Sequence, residues 1–377
     1  MVILHLTTFL QGGAGLVIAS LAASQRAAGH EVLVATTRSG PPGYGNYPGH
    51  LQHLARAGVP VSTIDSLFSR TPSEWSPVLA HLLSSPLAVR ADVCHAHAAT
   101  PTRIALAFCE RIGARPIVQT MHGWGIRKTD AQARSDVDAM NFAARVAVPA
   151  RTSAALLEAI GVAPSRLRVI EYGVAPPGER RPLPTAIEAD LQRWRRAGGV
   201  VLCCPGTIGE RKNQRALLHA LSRLESTMPA VCILFIGDGE TTALADEAAR
   251  LDLGERVRVC GYEENARQIA AAADFLVLPS LSEGQPLSVL EAFADGVPTI
   301  LSNIPELREL LGDTIPSLTF DPRDPADIAR TVARAVTLAP EDRRRLARQG
   351  RQRWAARFSA ARMCEAYLDL YTRVLTE

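Results

Sequence analysis

The stretch LPSLSEGQPLSVLEAFADGVPTI, residues 278–300, decides the fold that this 377-residue chain can adopt. It overlaps the end of a short apolar run, residues 273–279, and such a run bounded by proline predicts a buried parallel strand. A polar, glycine-containing loop follows at residues 280–285. A helix is predicted to begin at Pro286-Leu287 and to stop at Gly296, where the next strand begins.

The loop at residues 280–285 lies where a phosphate can bind. Ligands of open parallel sheets bind at the carboxyl ends of strands, and helix N-termini at that edge attract anions. The loop therefore offers backbone N–H groups and a helix dipole to a phosphate. Two carboxylates lie nearby in the sequence, Glu283 in the loop and Glu291 in the helix.

Seven residues separate Glu283 from Glu291, and this spacing resembles the Glu-x7-Glu signature of the retaining GT-B glycosyltransferases of family 4, also called glycosyl transferases group 1. The resemblance extends to the other residues of the stretch that fall at family positions: Pro279-Ser280, Gly284, Pro286-Leu287, Leu290, Ala292 and Gly296-Val297-Pro298. The alternative is an ordinary strand–loop–helix unit with surface glutamates. Such a unit would not need Gly, Pro and Ser placed around one loop.

The fold class predicted for the chain is α/β, because strands and helices alternate along most of it. The resemblance implies the GT-B architecture, in which two Rossmann-like domains face a central cleft and a C-terminal helix crosses back to the first domain. We place an acceptor-side domain at residues 1–175, a nucleotide-sugar-binding domain at 176–355 and the returning helix at 356–377. A Pro-rich linker, residues 176–184, joins the domains.

Composition excludes several other classes of protein. A net charge of +3 over 377 residues gives no case for nucleic-acid binding. The seven cysteines form no CxxC pair and are predicted to be core thiols of a reducing compartment. Residues 1–7 predict a strand rather than a signal peptide, and no apolar run approaches the roughly 20 residues that span a membrane. We therefore expect a cytoplasmic protein that is soluble or peripheral.

The C-terminal tail, residues 341–377, is basic at first and then amphipathic. A solvated face is the commoner meaning of such a pattern. A helix in peripheral contact with the inner face of a membrane is the alternative that the sequence leaves open.

The N-terminal half begins with a strand, a glycine-rich loop and a helix predicted from Leu16. The spacing of its glycines differs from the dinucleotide fingerprint Gly-x-Gly-x-x-Gly. The resemblance implies that Gly12 and Gly13 face the donor diphosphate; the alternative is that these glycines serve only to turn the chain. A Gly-, Pro- and Tyr-rich loop, residues 39–50, is placed to meet an acceptor.

Histidines form the second notable pattern of this half. His122 lies in Thr120-Met-His-Gly123, and the resemblance implies that its imidazole binds the donor sugar near the reaction centre. His97 matches a less specific family position and is expected more often as a core residue. His95 and His97 have the i, i+2 spacing of a metal pair, but no third ligand is evident in the sequence.

Asp136-Val-Asp138 has the form of the Asp-x-Asp metal motif of the other large glycosyltransferase fold. It falls in a predicted helix rich in alanine, so we expect a solvated face and no catalytic metal.

In the C-terminal half the resemblance implies a donor site made of several loops. Lys212 would neutralise the diphosphate, and the family arginine five residues before it is replaced by Thr207. Either Arg211 or the Thr207 hydroxyl is expected to take over that contact. The resemblance also implies that the sugar hydroxyls and the distal phosphate are bound by Glu283 and by the backbone of four residues: Gly284, Gln285, Pro286 and Leu287.

The remaining donor contacts implied by the resemblance surround the nucleoside. Glu291 would hold the ribose hydroxyls, and Gly237 lies in a Gly-x-Gly turn that the family shares. Tyr262 follows a strand whose end is expected beside the base. At the end of the first domain Tyr172 replaces the family asparagine, so any contact made by that asparagine is absent.

The function predicted is metal-independent sugar transfer, with retention, from a nucleotide diphosphate sugar to an unidentified acceptor. His122, Glu283 and Lys212 are the predicted catalytic residues. A UDP- or GDP-linked sugar is expected as donor substrate, with no cofactor. The acceptor is a saccharide, a lipid-linked molecule or a small natural product. Two alternatives remain: a nucleotide-sugar epimerase on the same fold, and a non-catalytic protein that binds nucleotide sugars.

Overall fold

The computed structural model describes residues 1–38, 40–41, 43–65, 68–124, 128–179, 182–224, 228–312 and 318–377. Ser39 and Pro42 of the predicted acceptor loop, and Arg180 and Arg181 of the predicted linker, lie outside these ranges. The chain forms two compact units. Unit 1 contains Met1–Val174 and Ser359–Glu377, and unit 2 contains Ala175–Phe358.

Unit 1 contains a seven-stranded sheet in the order β3-β2-β1-β4-β5-β6-β7, and every neighbouring pair is parallel. The strands are β1 (Val2–Leu6), β2 (Glu31–Thr37), β3 (Val61–Ile64), β4 (Val93–His97), β5 (Ile117–Thr120), β6 (Arg145–Val148) and β7 (Leu167–Val169). The central strands β1, β4 and β5 are buried along their whole length. The strand order reverses between β1 and β4, which is where ligands of such sheets bind.

Helices cover both faces of this sheet. They are α1 (Gly12–Ala27), α2 (Pro48–Arg56), α3 (Ser76–Ser84), α4 (Pro86–Val89), α5 (Ala99–Ile112), α6 (Asp130–Phe142) and α7 (Arg151–Ala159). The prediction that α1 begins at Leu16 was wrong. The helix begins at Gly12, so Gly12 and Gly13 form its first turn instead of a loop before it.

Unit 2 contains a six-stranded parallel sheet in the order β10-β9-β8-β11-β12-β13. The strands are β8 (Val200–Pro205), β9 (Val231–Ile236), β10 (Val257–Gly261), β11 (Phe275–Leu278), β12 (Thr299–Ser302) and β13 (Leu318–Phe320). Apolar clusters lie on both faces of β8 and β9, because every residue of these two strands is buried. Here the strand order reverses between β8 and β11.

The helices of unit 2 are α8 (Thr185–Arg196), α9 (Gln214–Leu221), α10 (Thr241–Arg250), α11 (Ala266–Ala271), α12 (Leu287–Asp295), α13 (Pro305–Leu311), α14 (Pro325–Val336) and α15 (Pro340–Arg357). The helix predicted within residues 278–300 is α12. Its C-terminus is closed by Gly296 in the left-handed conformation, with φ of 73°, a geometry that favours glycine. This part of the prediction is confirmed.

The basic stretch of α15 has defined partners within unit 2. Arg343, Arg351 and Arg353 donate hydrogen bonds to backbone carbonyls at the ends of α14, α12 and α13, respectively. Cations at helix C-termini satisfy unpaired carbonyls and complement the helix dipole. These three arginines therefore join helices of unit 2.

The last helix, α16 (Ala360–Thr376), packs on α1 as part of unit 1. The buried side chains of its inner face are Met363, Cys364, Tyr367, Leu370, Tyr371 and Val374. Because this apolar face is covered by unit 1, it is not offered to a membrane. Within the described part of the chain, no helix combines the length and apolar character needed to cross a bilayer.

Candidate functional site

The two strands at the reversal point of unit 2, β8 and β11, place their following loops side by side. Leu281 N–H donates to the Arg211 carbonyl at 2.9 Å, and the Asn213 side chain donates to the Pro279 carbonyl at 3.1 Å. These bonds tie the loop after β8 to the loop after β11. Lys212 and Glu283, which the sequence placed in separate motifs, are thereby brought together.

Lys212 and Glu283 form an ion pair. Lys212 Nζ lies 2.6 Å from Glu283 Oε1, and the two side chains are 13% and 6% exposed. Arg211 reaches the other carboxylate oxygen at 3.2 Å and also donates to the Ser282 carbonyl. Burial acts to raise the pKa of Glu283, but the charges of Lys212 and Arg211 outweigh it and hold that pKa below its ordinary value. Glu283 is therefore ionised at neutral pH.

Thr207 is exposed in the loop after β8, and its carbonyl accepts a hydrogen bond from the Gln214 side chain at 3.3 Å. Arg211, the other expected substitute for the family arginine, points to Glu283 and Ser282. The structure thus gives Arg211 a protein partner and leaves Thr207 at the surface.

Gly237 has a structural reason to be glycine. A Cβ at this position would lie 2.3 Å from the Gly206 carbonyl oxygen, a distance that no side chain can adopt without a shift of the backbone. The residue lets the loop after β9 lie against the loop after β8. Tyr262 follows β10, whose Gly261 carbonyl accepts a hydrogen bond from Gly237 N–H at 2.7 Å. Tyr262 is 49% exposed.

The N-terminus of α12 adjoins the ion pair in sequence. Gln285 and Pro286 are buried, whereas Gly284 and Leu287 are partly exposed. As far as the structure is described, no side chain caps this helix end. Uncapped N–H groups and the positive end of the helix dipole form a favourable place for an anion.

Glu291 lies one turn further along α12. The neighbouring cation, Arg267, forms a bidentate salt bridge with Asp295, in which both N–O distances are 2.9 Å. Burial raises the pKa of Glu291 to about 7, and the positive charge of Arg267 only partly opposes that effect. Glu291 is consequently a poorly hydrated acid, and once ionised it can accept hydrogen bonds from hydroxyl groups.

In unit 1, His122 follows β5 and is partly exposed. Its Nδ1 lies 2.7 Å from the Tyr172 hydroxyl, and its Nε2 lies 3.1 Å from His97 Nδ1. Burial lowers the pKa of His122 to about 4, so the ring is neutral. Tyr172, noted in the sequence only as a departure from the family pattern, is thus a direct partner of the predicted sugar-binding histidine.

No third partner for His95 and His97 was evident in the sequence, and the structure supplies one. Parallel pairing sets His5 of β1 opposite His95 of β4, and ligand nitrogens of His5, His95 and His97 lie within 4.8 Å of one another. Protein groups already occupy these nitrogens: His5 bonds Gln25 and His97, while His95 bonds Thr120 and Tyr371. A metal ion would have to displace several buried hydrogen bonds, so the cluster fits a hydrogen-bonded network better than a metal site.

The expectation of a solvated Asp136 was wrong. Its side chain is 3% exposed and pairs with Arg70 at 2.7 Å and with Lys128 at 2.7 Å. Burial tends to raise its pKa, but bonds from Arg70 and Lys128 keep the pKa low. Lys128 also lies 3.5 Å from the centroid of the Trp124 ring. Asp136 therefore anchors α6, while Asp138 is exposed as predicted.

Gly12 and Gly13 are exposed at the start of α1, and the Gly12 carbonyl is hydrogen-bonded to His50 Nε2 at 3.1 Å. Within the described ranges, no side chain caps this helix either. The predicted glycine contact with a diphosphate thus has exposed backbone at a helix N-terminus in unit 1.

Two family profiles match the chain, one for each half. Residues 11–176 match Glycosyltransferase Family 4, and residues 199–337 match Glycosyl transferases group 1. Residues 278–300 lie within the match to Glycosyl transferases group 1, and His122 lies within the match to Glycosyltransferase Family 4.

Individual relatives give the same result. The glycogen synthase of Mycobacterium tuberculosis is 26% identical over 395 residues, which cover 96% of this chain and 91% of that protein. A putative glycosyltransferase of Bacillus subtilis, EpsD, is 30% identical over 174 residues, 46% of this chain and 45% of EpsD. The chain thus aligns with about half the length of EpsD and with nearly all of the synthase.

Among solved structures, Anabaena HepE in complex with UDP and glucose superimposes with a TM-score of 0.82 at 19% identity, over 98% of this chain and 99% of HepE. The two parallel-sheet units are those of the GT-B fold, as predicted.

Proposed function

The chain belongs to the family 4 glycosyltransferases of group 1, and we propose that it transfers a sugar, with retention, from a nucleoside diphosphate sugar to a carbohydrate-containing acceptor. One observation carries the proposal. The buried Lys212–Glu283 pair joins the loops that follow β8 and β11. Next to Glu283 in sequence is the start of α12, which no side chain among the described residues caps, and α12 carries the half-buried Glu291. These groups provide a cation, a helix N-terminus that can bind an anion, and two carboxylates that can accept hydrogen bonds from hydroxyl groups.

The donor contacts follow from this chemistry. The diphosphate binds Lys212 and the N–H groups that begin α12, because both attract anions. Glu291 accepts the ribose hydroxyls. Glu283, released from part of its contact with Lys212, accepts hydroxyls of the sugar. UDP as the nucleoside diphosphate is supported by HepE, which has been solved with UDP and with UDP-glucose.

The reaction needs stabilisation of one leaving group. The bond between the anomeric carbon and the phosphate oxygen breaks, and negative charge develops on that oxygen. Fixed donors directed at this oxygen lower the barrier only if they bind it more strongly in the transition state. Lys212 and the α12 N-terminus meet this requirement without a metal ion. The acceptor hydroxyl attacks from the same face, and the departing phosphate takes its proton.

We assign the acceptor to the carbohydrate class because a relative that aligns over 96% of the chain is a glycogen synthase. A free saccharide and a lipid-linked saccharide share that chemistry. Membrane contact would accompany the lipid-linked form, and it would have to use residues other than the buried face of α16.

A donor screen tests the proposal. Purified protein is mixed with each common nucleotide sugar in EDTA, and thermal shift and nucleoside diphosphate release are measured. We expect one donor to stabilise the protein and to lose its sugar slowly to water. Lys212→Ala and Glu291→Ala should abolish the shift. Two exposed residues of unit 2, Arg223 and Glu188, provide matched controls as Arg223→Ala and Glu188→Ala.

Other outcomes of this screen would favour the alternatives. An epimerase would convert the donor into a second nucleotide sugar with no release of nucleoside diphosphate. A binding protein would show the thermal shift but no release, also with added saccharide acceptors. Binding of no donor at all would contradict the proposal.

A further inference from the structure

The histidines of unit 1 form a continuous hydrogen-bonded chain that ends at His122. Its successive contacts are Gln25 Oε1 to His5 Nε2 (2.7 Å), His5 Nδ1 to His97 Nε2 (3.0 Å), His97 Nδ1 to His122 Nε2 (3.1 Å) and His122 Nδ1 to the Tyr172 hydroxyl (2.7 Å). Gln25, His5 and His97 are almost completely buried. The chain therefore leads from the interior, at α1, to the partly exposed ring that we assign to the donor sugar.

The local sequence explains why the three inner groups meet. His95 and His97 are two residues apart on β4 and so lie on one face of the sheet. Parallel pairing sets His5 of β1 opposite His95 on that face, and Gln25 lies on the buried side of α1 above it. The rings of His5 and His97 are stacked, with centroids 5.3 Å apart.

The direction of each hydrogen bond follows from the orientation of Gln25. Its Oε1 faces His5, so His5 must donate from Nε2. A neutral imidazole carries one proton, so His5 Nδ1 accepts and His97 donates from Nε2. By the same rule His122 donates from Nε2 to His97, and His122 Nδ1 accepts from the Tyr172 O–H.

The second branch of the network is also satisfied with that orientation. The Gln25 amide Nε2 donates to the Tyr371 hydroxyl at 3.2 Å, and this hydroxyl lies 2.6 Å from His95 Nδ1. His95 Nε2 lies 2.7 Å from the Thr120 hydroxyl. With Tyr371 donating to His95 and His95 donating to Thr120, each bond has one donor and one acceptor. Tyr371 of α16 thus connects the last helix of the chain to the state of His122.

We propose that Gln25, His5 and His97 are positioning residues that hold His122 in the Nε2-protonated tautomer, which leaves Nδ1 as an acceptor for a hydroxyl group of the donor sugar. The inference rests on the proposed function. Tyr172 occupies Nδ1 when no donor is bound, and a sugar hydroxyl takes its place on binding. No proton leaves the chain in this exchange, because one O–H donor replaces another.

The test has a first part that needs no substrate. Protein labelled with ¹⁵N-histidine is studied by long-range ¹H–¹⁵N correlation spectra, which distinguish protonated from unprotonated ring nitrogens. We expect Nε2–H and a bare Nδ1 for His5, His97 and His122. Nδ1–H on His122, or a charged ring at neutral pH, would overturn the inference whether or not a donor is found.

The second part alters the buried end of the chain, far from the predicted sugar contact. Gln25→Met removes the amide with little change in volume, so His5 no longer has a fixed acceptor. We expect mixed tautomers at His122 and a rise of about fivefold in the donor KM, with kcat nearly unchanged. Gln25→Glu keeps an oxygen acceptor toward His5 and, while its carboxyl group is protonated, a donor toward Tyr371, so in that protonation state it should restore both the tautomer and KM. A merely structural role would lower the stability of both variants and leave the tautomer of His122 unchanged.

Donor analogues lacking one sugar hydroxyl complete the test. One analogue should bind wild type and Gln25→Met equally, because the hydroxyl that reaches Nδ1 is missing. If every analogue preserves the fivefold difference, the contact with Nδ1 is disproved. Failure of the wild type to bind any donor would instead disprove the proposed function, and the tautomer result would still decide the positioning chain.

Discussion

Substitution of Lys212 and Glu283, singly and together, should show a strong energetic coupling. The two charged atoms lie 2.6 Å apart, and their side chains are 13% and 6% exposed. Loss of one partner from a buried ion pair costs about 3–5 kcal/mol, because the other charge is left in a poorly hydrated place. In Lys212→Met, Glu283 keeps Arg211 at 3.2 Å. We therefore expect a loss of about 3 kcal/mol near pH 8.

The double variant should be much more stable than the sum of the single changes. Lys212→Met combined with Glu283→Gln leaves no buried unpaired charge at this site, because Arg211 is 49% exposed, so we expect it within about 1 kcal/mol of wild type. Urea unfolding followed by circular dichroism and tryptophan fluorescence measures these free energies, with separate transitions allowed for the two units. Additive losses in the double variant would refute the coupling.

The pH dependence provides a sign that can be checked. In wild type the pKa of Glu283 is below its ordinary value, so its stabilising contribution is present above that value and is lost as pH falls through the folded pKa. In Lys212→Met burial should prevail and raise this pKa. Its contribution is then favourable at low pH and lost as pH rises. The stability difference between wild type and Lys212→Met should therefore shrink between about pH 8 and pH 5.

The same variants separate stability from binding. The double variant should fold well yet show no thermal shift with the donor, because Lys212 is absent. Glu283→Gln should bind free nucleoside diphosphate more tightly, by up to about tenfold, since the carboxylate no longer competes for Lys212. It should bind the intact nucleotide sugar no more tightly than wild type. Calorimetric titration with both ligands measures these changes, and an equal gain for both ligands would contradict the sugar contact of Glu283.

Three further predictions concern single residues. Glu291 has a pKa raised to about 7, so donor affinity measured by titration calorimetry should increase from about pH 6 to pH 8, and Glu291→Gln should remove that dependence. In urea unfolding, Glu291→Gln should stabilise the free protein at about pH 8 by at most about 3 kcal/mol, with no gain near pH 4. Gly237→Ala should destabilise unit 2 by about 2–4 kcal/mol because its Cβ would lie 2.3 Å from the Gly206 oxygen, whereas Gly209→Ala, with open space around it, should be nearly neutral in the same unfolding assay. Tyr172→Phe should free Nδ1 of His122 and tighten donor binding about threefold, and weaker binding would show that the hydroxyl contacts the donor itself.

Local patterns allowed the fold to be predicted and a set of candidate site residues to be named. The helix α12 could be located because a proline and a glycine mark its two ends, with nine helical residues between them. The start of α1 could not, because glycine is unfavourable within a helix and a glycine-rich stretch predicts a loop, whereas three of the first four residues of α1 are glycines. Such errors arise where a residue type has two common local conformations.

Long-range partners explain the remaining differences. Asp136 has the sequence context of a solvated helix, but Arg70 lies 66 residues earlier in the chain and pairs with it across the fold. The environment of His95 depends on Tyr371, 276 residues later. Lys212 and Glu283 were each predicted as site residues, yet their mutual contact depends on how β8 pairs with β11. No periodicity within a single element reports such pairings.

A common feature of both candidate regions is that their polar groups are paired before a donor arrives. Glu283 forms an ion pair with Lys212 in unit 2, and the Tyr172 hydroxyl is hydrogen-bonded to His122 Nδ1 in unit 1. Unpaired buried groups would cost free energy in the folded chain, so each proposed donor contact already has a protein partner. Under the proposed function, donor binding exchanges these partners: the diphosphate replaces the Glu283 carboxylate at Lys212, and a sugar hydroxyl replaces the Tyr172 phenol at His122 Nδ1.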